Sequence, residues 1–304
     1  MITVDVKNLS VKFDDFIAVN DISFSVAKSE IFGFLGANGA GKTTTIRVLC
    51  GLLQATHGNV KVAGLTVKNQ EQAVKSKIGY MSQKFTLYND LSIIENLDFI
   101  AALRKIDRPT YLMRRQELLE FIKFNKSMTT IVQDLPAGVK HQVSLVAALL
   151  HDPEIIFLDE PTAGVSPFSR YKFWELIQQL ANKGKTVFVT THFMDEAEQC
   201  HRVALMRAGK IAALDSPVNL KAHAFPLAML EFDPKRPMSY TALLALKQDP
   251  TFSYFEPYGR MFHAAITNQE IWQQNQAKFV ADFNINIIQP TLEDVFIKTV
   301  EHKL

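Results

Sequence analysis

From Ile2 to Val26, apolar and polar positions alternate in short runs broken at Asp14-Asp15 and Asn20-Asp21. That alternation predicts antiparallel strands. Val60 to Val67 continues in the same style. Elsewhere the alternation gives way to short unbroken apolar runs: Ile31 to Leu35, Glu154 to Leu158, Thr186 to Val189 and Val203 to Met206. Runs of this length predict strands, and the continuous character of Glu154 to Leu158 predicts a buried one. Between these runs the spacing is helical. Leu91 to Leu150 is mostly helix, with Ile93, Ile94, Leu97, Ile100 and Ala101 at helical intervals and Asp90 or Ser92 as its first cap. Thr44 to Leu53, Arg170 to Asn182 and Met194 to His201 are further predicted helices. Strands alternating with helices imply an α/β fold with a parallel sheet.

After about Lys221 the character changes. Leu227 to Phe232 predicts a strand and Met238 to Lys247 a helix. Phe252 to Glu256 and Met261 to Ile266 predict two strands around the turn Pro257-Tyr258-Gly259-Arg260. Glu270 to Phe283 then predicts a helix and Ile285 to Ile288 a last strand. The order β-α-β-β-α-β is that of a ferredoxin-like α+β unit. Thr291 to Val300 predicts a closing helix with Thr291 as cap and Asp294 placed for a capping box. The expected division is therefore a large domain over 1–222 and a small accessory domain over 223–304.

Composition changes this picture little but excludes several classes. Of the 304 residues, 47% are hydrophobic and 21% charged, which is ordinary for a globular chain and argues against disorder. A net charge of +2 offers no electrostatic reason to expect nucleic acid as a partner. The longest apolar runs, such as Val143 to Leu150, fall far short of the roughly 18 to 20 residues that span a bilayer. Met1 to Asp5 already alternates as a strand and does not resemble a signal peptide. The expected location is the cytoplasm or the cytoplasmic face of a membrane. Cys50 and Cys200 lie far apart without metal-like spacing, so reduced, buried thiols are expected.

The candidate chemistry begins at Gly36-Ala37-Asn38-Gly39-Ala40-Gly41-Lys42-Thr43, a G-x-x-x-x-G-K-[ST] phosphate-binding loop. It follows the strand ending at Leu35 and precedes the helix opening at Thr44, the setting the motif requires. Glycines let the backbone curl until successive N–H groups face phosphate oxygens, and the helix N-terminus adds positive potential there. Lys42 can reach the terminal phosphates and Thr43 can offer its hydroxyl to Mg²⁺. Downstream, Asp159 and Glu160 end the buried strand Glu154 to Leu158. With that strand beside the one feeding the loop, Asp159 can bind Mg²⁺ and Glu160 can orient or deprotonate an attacking water.

With these residues in this order, roughly residues 2 to 222 resemble the ATP-binding subunits of ABC transporters. The resemblance implies a P-loop ATPase domain of that type: a parallel core sheet, an antiparallel β subdomain and a helical subdomain at about 84–150. It implies ATP and Mg²⁺ as ligands, with Gly36, Asn38, Gly39, Ala40, Gly41, Lys42, Thr43 and Thr44 around the nucleotide. Phe13 stands where the family stacks an aromatic ring on adenine. Gln83, in Tyr80-Met81-Ser82-Gln83, matches the glutamine that contacts Mg²⁺ and water and faces the membrane partner. His192, in Thr190-Thr191-His192-Phe193, matches the histidine that contacts the γ-phosphate.

Leu135-Pro136-Ala137-Gly138-Val139 occupies the place of the family's Leu-Ser-Gly-Gly-Gln signature, which grips the nucleotide of a partner subunit. Pro136 removes a hydroxyl and an N–H, and Ala137 adds a methyl where close backbone approach is wanted. The helix survives, since proline is tolerated in a first turn. Gln142 replaces the usual basic residue, and Ser166 stands in Ala163-Gly164-Val165-Ser166-Pro167 in place of an aspartate. The groups this chain offers its own nucleotide are all present, whereas those it lends a partner are eroded. A homodimer would join good loops to poor signatures; an unequal pair with a different ATP-binding subunit could hold one competent site. The tail Gln289-Pro290-Thr291-Leu292-Glu293-Asp294-Val295-Phe296-Ile297 resembles those of drug, antibiotic and lipid exporters. The resemblance implies a peripheral ATPase subunit of an exporter, coupled to a separate membrane permease. The alternatives are a nucleotide-gated regulatory subunit with little hydrolysis and a soluble ATPase of this type unconnected with transport.

Overall fold

The structure is a computed structural model and describes residues 1–83 and 86–301; the expected start of the helical subdomain, at residue 84, lies outside them. It divides into two compact units, Met1–Leu214 and Asp215–Leu304.

In the first unit, β1 (Ile2–Phe13) and β2 (Phe16–Ala27) form an antiparallel hairpin whose alternation buries Val4, Val6, Leu9 and Val11. β3 (Ile31–Leu35) is buried along its whole length and leads through the glycine loop into α1 (Lys42–Leu49). β4 (His57–Val62) and β5 (Leu65–Thr66) complete a four-stranded sheet with the hairpin, in the order β2-β1-β4-β5. After α2 (Glu71–Lys77) and β6 (Ile78–Met81) come three helices, α3 (Ile93–Leu103), α4 (Arg108–Phe121) and α5 (Ala137–Leu149). Ser92, and not Asp90, caps α3 through a capping box with Glu95.

The chain then alternates as β7 (Ile155–Asp159), α6 (Pro167–Asn182), β8 (Thr186–Thr191), α7 (Met194–Ala197), β9 (Arg202–Arg207) and β10 (Lys210–Asp215). These strands join β3 and β6 in a six-stranded sheet of order β10-β9-β3-β8-β7-β6, with β9, β3, β8, β7 and β6 successively parallel. Phe24, Phe32, Phe34, Phe157 and Phe188 pack ring on ring between the two sheets, with neighbouring centroids such as Phe34 and Phe188 4.9 Å apart.

Two expectations are corrected here. The strand carrying Asp159 does not lie beside the strand feeding the loop, because β8 runs between β3 and β7. The helix expected over Met194 to His201 is a single turn: Gln199 and Cys200 amides bond only three residues back, and the His201 amide donates to Ile31 of β3, drawing the chain back to the sheet.

The second unit contains α8 (Pro217–Ala224), β11 (Met229–Pro234), α9 (Tyr240–Lys247), β12 (Phe252–Tyr258), β13 (Met261–Ile266), α10 (Gln269–Val280), β14 (Phe283–Ile288) and α11 (Leu292–Phe296), the last running on into a π-turn. Its sheet order is β12-β13-β11-β14, with each described pairing antiparallel, the ferredoxin-like arrangement. α8, which straddles the expected boundary at residue 222, packs against α11 within the second unit. The predicted helix to Phe283 stops at Val280, because Phe283 pairs with Pro234 at the start of β14. Pro257 sits inside β12, tolerated because that strand is at the sheet edge.

Thr291 and Asp294 form the expected capping box. Asp294 also accepts hydrogen bonds from His263 Nδ1 at 2.8 Å and Tyr254 Oη at 3.3 Å while almost fully buried. Burial alone would raise its carboxyl, but the bonds from His263 and Thr291 hold it below the usual carboxylate range. A lowered pKa contributes stability that is present above the ordinary carboxylate value and is lost as pH falls through the lowered one. Asp294→Asn should therefore lower the stability of this unit by about 1–3 kcal/mol at neutral pH. The gap to wild type should narrow in thermal melts taken towards about pH 3; a gap independent of pH would refute the charge-based account.

Candidate nucleotide site

The loop between β3 and α1 owes its shape to two glycines. A Cβ on Gly36 would come within 2.4 Å of the Met206 carbonyl oxygen. Gly41, at φ 104°, takes the left-handed conformation from which α1 starts, and a Cβ there would meet the Ala18 carbonyl at 2.6 Å. The curl buries Lys42, whose Nζ donates to the carbonyls of Gly36 at 2.7 Å and Ala37 at 3.2 Å.

β8 lies between the loop strand and β7, and it contributes hydroxyls at its end. Thr190 Oγ1 donates to Asp159 Oδ1 at 2.6 Å and accepts from the Glu160 amide at 3.0 Å. Thr43 Oγ1, across the width of β8, also donates to Asp159 Oδ1, at 3.1 Å. Small side chains at the carboxyl end of β8 let groups from two non-adjacent strands meet. Burial pushes the Asp159 carboxyl up, and the hydrogen bonds from Thr190 and Thr43 offset this only in part.

Immediately past β7, Glu160 adopts φ 48°, a left-handed conformation costly for a side chain of this kind. The turn places its carboxylate among three partners: Lys42 Nζ at 3.3 Å, Gln83 Nε2 donating at 3.0 Å, and His192 Nδ1 at 3.3 Å. Glu160 is itself buried. Gln83 comes from the end of β6 and His192 from the end of β8, so three strands of one sheet converge on one carboxylate. Asn38 to Thr44, Gln83, Glu160, Ala18 and Phe16 line a cleft of about 260 Å³.

Lys42, Thr43, Gln83, Asp159, Glu160 and His192 are thus brought together, along with the loop residues Gly36, Asn38, Gly39, Ala40, Gly41 and Thr44. Phe13 is not brought to this cleft. It pairs with Phe16 across the β1–β2 turn, and it is Phe16 that lines the cleft. Leu135 to Val139 lie around the start of α5, away from the cleft lining, with Pro136 at its cap and no side-chain cap bond. Ser166, noted for replacing an aspartate, caps α6 by accepting from the Ser169 amide. Thr190 and Phe16 had no assigned part in sequence; for Thr190 the signal was two hydroxyls ending an otherwise apolar strand.

A divalent cation fits this site. Asp159 Oδ2 is buried with no hydrogen-bond partner, facing chemistry that already includes the Thr43 hydroxyl. No group of three or more His, Cys, Asp and Glu among the described residues could hold a metal alone. Further ligands would have to come from nucleotide phosphate and water, as Mg²⁺ prefers.

The ABC transporter family model matches residues 19–163. Over 300 residues the chain is 32% identical to the Nod factor export ATP-binding protein I of Rhizobium leguminosarum bv. viciae, covering 98% of this chain and 94% of that one. This chain belongs to the ABC transporter ATP-binding family. It is also 41% identical over 221 residues to the probable multidrug ABC transporter ATP-binding protein YbhF of Escherichia coli (strain K12), covering 73% of this chain but only 38% of that relative's length. Among solved structures, the ADP conformation of an ABC transporter ATP-binding cassette matches with a TM-score of 0.64 at 26% identity, over 70% of this chain and 91% of that one. CbiO1 from Clostridium perfringens shares the fold, with a TM-score of 0.67 at 23% identity over 73% of this chain and 91% of that one. ABC ATP-binding domains bind ATP or ADP and are generally ATPases. No helix among the described residues is long and apolar enough to cross a membrane.

Proposed function

We propose that this chain is the ATP-hydrolysing subunit of an ABC exporter, working at the cytoplasmic face of a membrane with a separate permease and a second ATP-binding subunit. The observation that carries the reading is the convergence of Lys42, Gln83 and His192 on Glu160, each within 3.3 Å. Lys42 and the loop amides bind the phosphates; Glu160 takes a proton from the attacking water; His192 meets the γ-phosphate; Gln83 orients the water. Thr43, Asp159 and Gln83 would hold Mg²⁺, which when bound offsets charge on the phosphates. The ring of Phe16, at the β1–β2 turn and in the cleft lining, packs on adenine. Relatives named for multidrug and Nod factor export, and the exporter-like tail from Gln289 to Ile297, support the transport direction. The unit after residue 214 serves as an accessory, regulatory domain.

Pro136 and Ala137 favour a second reading, a nucleotide-gated regulator with little turnover of its own. Phosphate release separates the two. The purified chain with ATP and Mg²⁺ should release phosphate, and restoring Pro136→Ser with Ala137→Gly should raise the rate at least several-fold if two copies complete each other's sites. ATP binding without phosphate release, unchanged by that restoration or by a heterologous partner subunit, would select the regulatory reading.

A further inference from the structure

We propose that Arg170, Phe193 and Glu196 are positioning residues that hold His192 against Glu160; the inference rests on the hydrolytic reading of that pair. The side chain of His192 is 36% exposed, and its Nδ1 makes no aligned hydrogen bond, although it lies 3.3 Å from Glu160. Its position must therefore come from its neighbours in the chain. On one side, Thr191 Oγ1 donates to Glu196 Oε2 at 2.5 Å and accepts from the Phe193 amide at 3.0 Å, closing the backbone around His192. On the other, the Phe193 ring lies 4.1 Å from the imidazole, and the Arg170 guanidinium lies 3.8 Å over that same ring. The contacts run from cation to phenyl to imidazole, with the two rings tilted 38° to each other.

Glu196 anchors both halves. It is completely buried, and its Oε1 sits 3.6 Å from Arg170 Nε. The same oxygen accepts from the Thr162 hydroxyl, two residues past Glu160. One carboxylate thus fixes the turn carrying His192, the guanidinium that backs it and the turn carrying Glu160. A buried carboxylate is costly unless it is fully partnered, and here its partners are two hydroxyls and one cation drawn from three different segments. The second ion pair of Arg170, with Asp195 at 3.3 Å, is exposed and adds little. None of these three side chains lines the cleft, so each acts through His192 and Glu160.

The test is the difference between ATP and ADP, because only ATP carries the γ-phosphate that His192 meets. Phe193→Leu keeps apolar volume without a ring, and Arg170→Lys keeps the charge without a planar face; both sites are half-buried and tolerate the change. Each should leave the ADP-induced thermal shift of the full chain unchanged, shrink the extra shift given by ATP, and lower kcat about 10- to 100-fold with KM within about threefold. Phe193→Tyr, which keeps the ring, should recover most of the kcat lost in Phe193→Leu. A purely structural role would move the melting temperature without touching the ATP–ADP difference, and that result overturns the inference. So does wild-type kcat in both Phe193→Leu and Arg170→Lys, while the hydrolytic reading stands. A chain that releases no phosphate alone, with the restored signature or with a partner ATP-binding subunit overturns the reading and the inference together.

Discussion

Glu160→Gln is expected to lower phosphate release by about 10²–10⁴-fold, the range for loss of a general base. The substitution is nearly isosteric and keeps an acceptor oxygen for Gln83 or His192, so the left-handed turn and the cleft should persist. What disappears is the ability to take a proton from water. ATP binding should survive or tighten, because the amide no longer places a negative charge near the incoming phosphates, and an ATP-bound dimer should accumulate. Steady-state phosphate release together with ATP-dependent size-exclusion elution would measure both effects. Turnover within twofold of wild type would remove Glu160 from the reaction.

Lys42→Ala is expected to abolish nucleotide binding. Its ammonium is buried against two loop carbonyls and the Glu160 carboxylate. A ligand present at about 100 times its Kd stabilises a protein by roughly 2.7 kcal/mol, worth several degrees in a chain of this size. Wild type should show that shift with ATP and Lys42→Ala none. The variant should also melt lower in the absence of nucleotide, since breaking a buried ion pair leaves Glu160 uncompensated, a loss of about 3–5 kcal/mol in comparable cases. A preserved ATP shift in Lys42→Ala would mean that the loop amides bind phosphate without the lysine.

Much of the fold was legible because local pattern and final structure agree. Ile31 to Leu35 and Ile155 to Leu158 are too short and too apolar to be anything but buried strands, and both are. The ferredoxin-like order of the small unit followed from its succession of strand and helix patterns and the turn Pro257 to Arg260. Where reading failed, a long-range partner decided the outcome. Nothing in Glu198-Gln199-Cys200-His201 breaks a helix; the Ile31 carbonyl captures the His201 amide and ends α7 early. Phe279, Val280 and Phe283 fit helical spacing, yet Phe283 belongs to β14 because Pro234 is its strand partner. The order of strands is the plainest case, since no residue of β7 or β8 announces which of them lies next to β3.

The site was legible in its charged members and illegible in its supports. Lys42 stands out through the spacing of the glycine loop, Asp159 and Glu160 as acids ending an apolar run, and His192 through the family resemblance. Thr190, Thr191 and Thr162 do not, since a threonine in or after a strand is ordinary by propensity alone. Their hydroxyls became significant only when the sheet set Asp159 beside Thr190 and Thr191 above Glu196. Phe13 and Phe16 were indistinguishable in sequence, three residues apart on one hairpin turn.

The left-handed backbone at Glu160 sets the local preference of the chain against its chemistry. Glycine, asparagine or aspartate would occupy that φ more comfortably than glutamate. A library at position 160 ranked by heat resistance would therefore reward residues suited to the bend and rank down the acid that the proposed reaction needs. Engineering this ATP-binding subunit for robustness calls for a selection that reads turnover alongside folding.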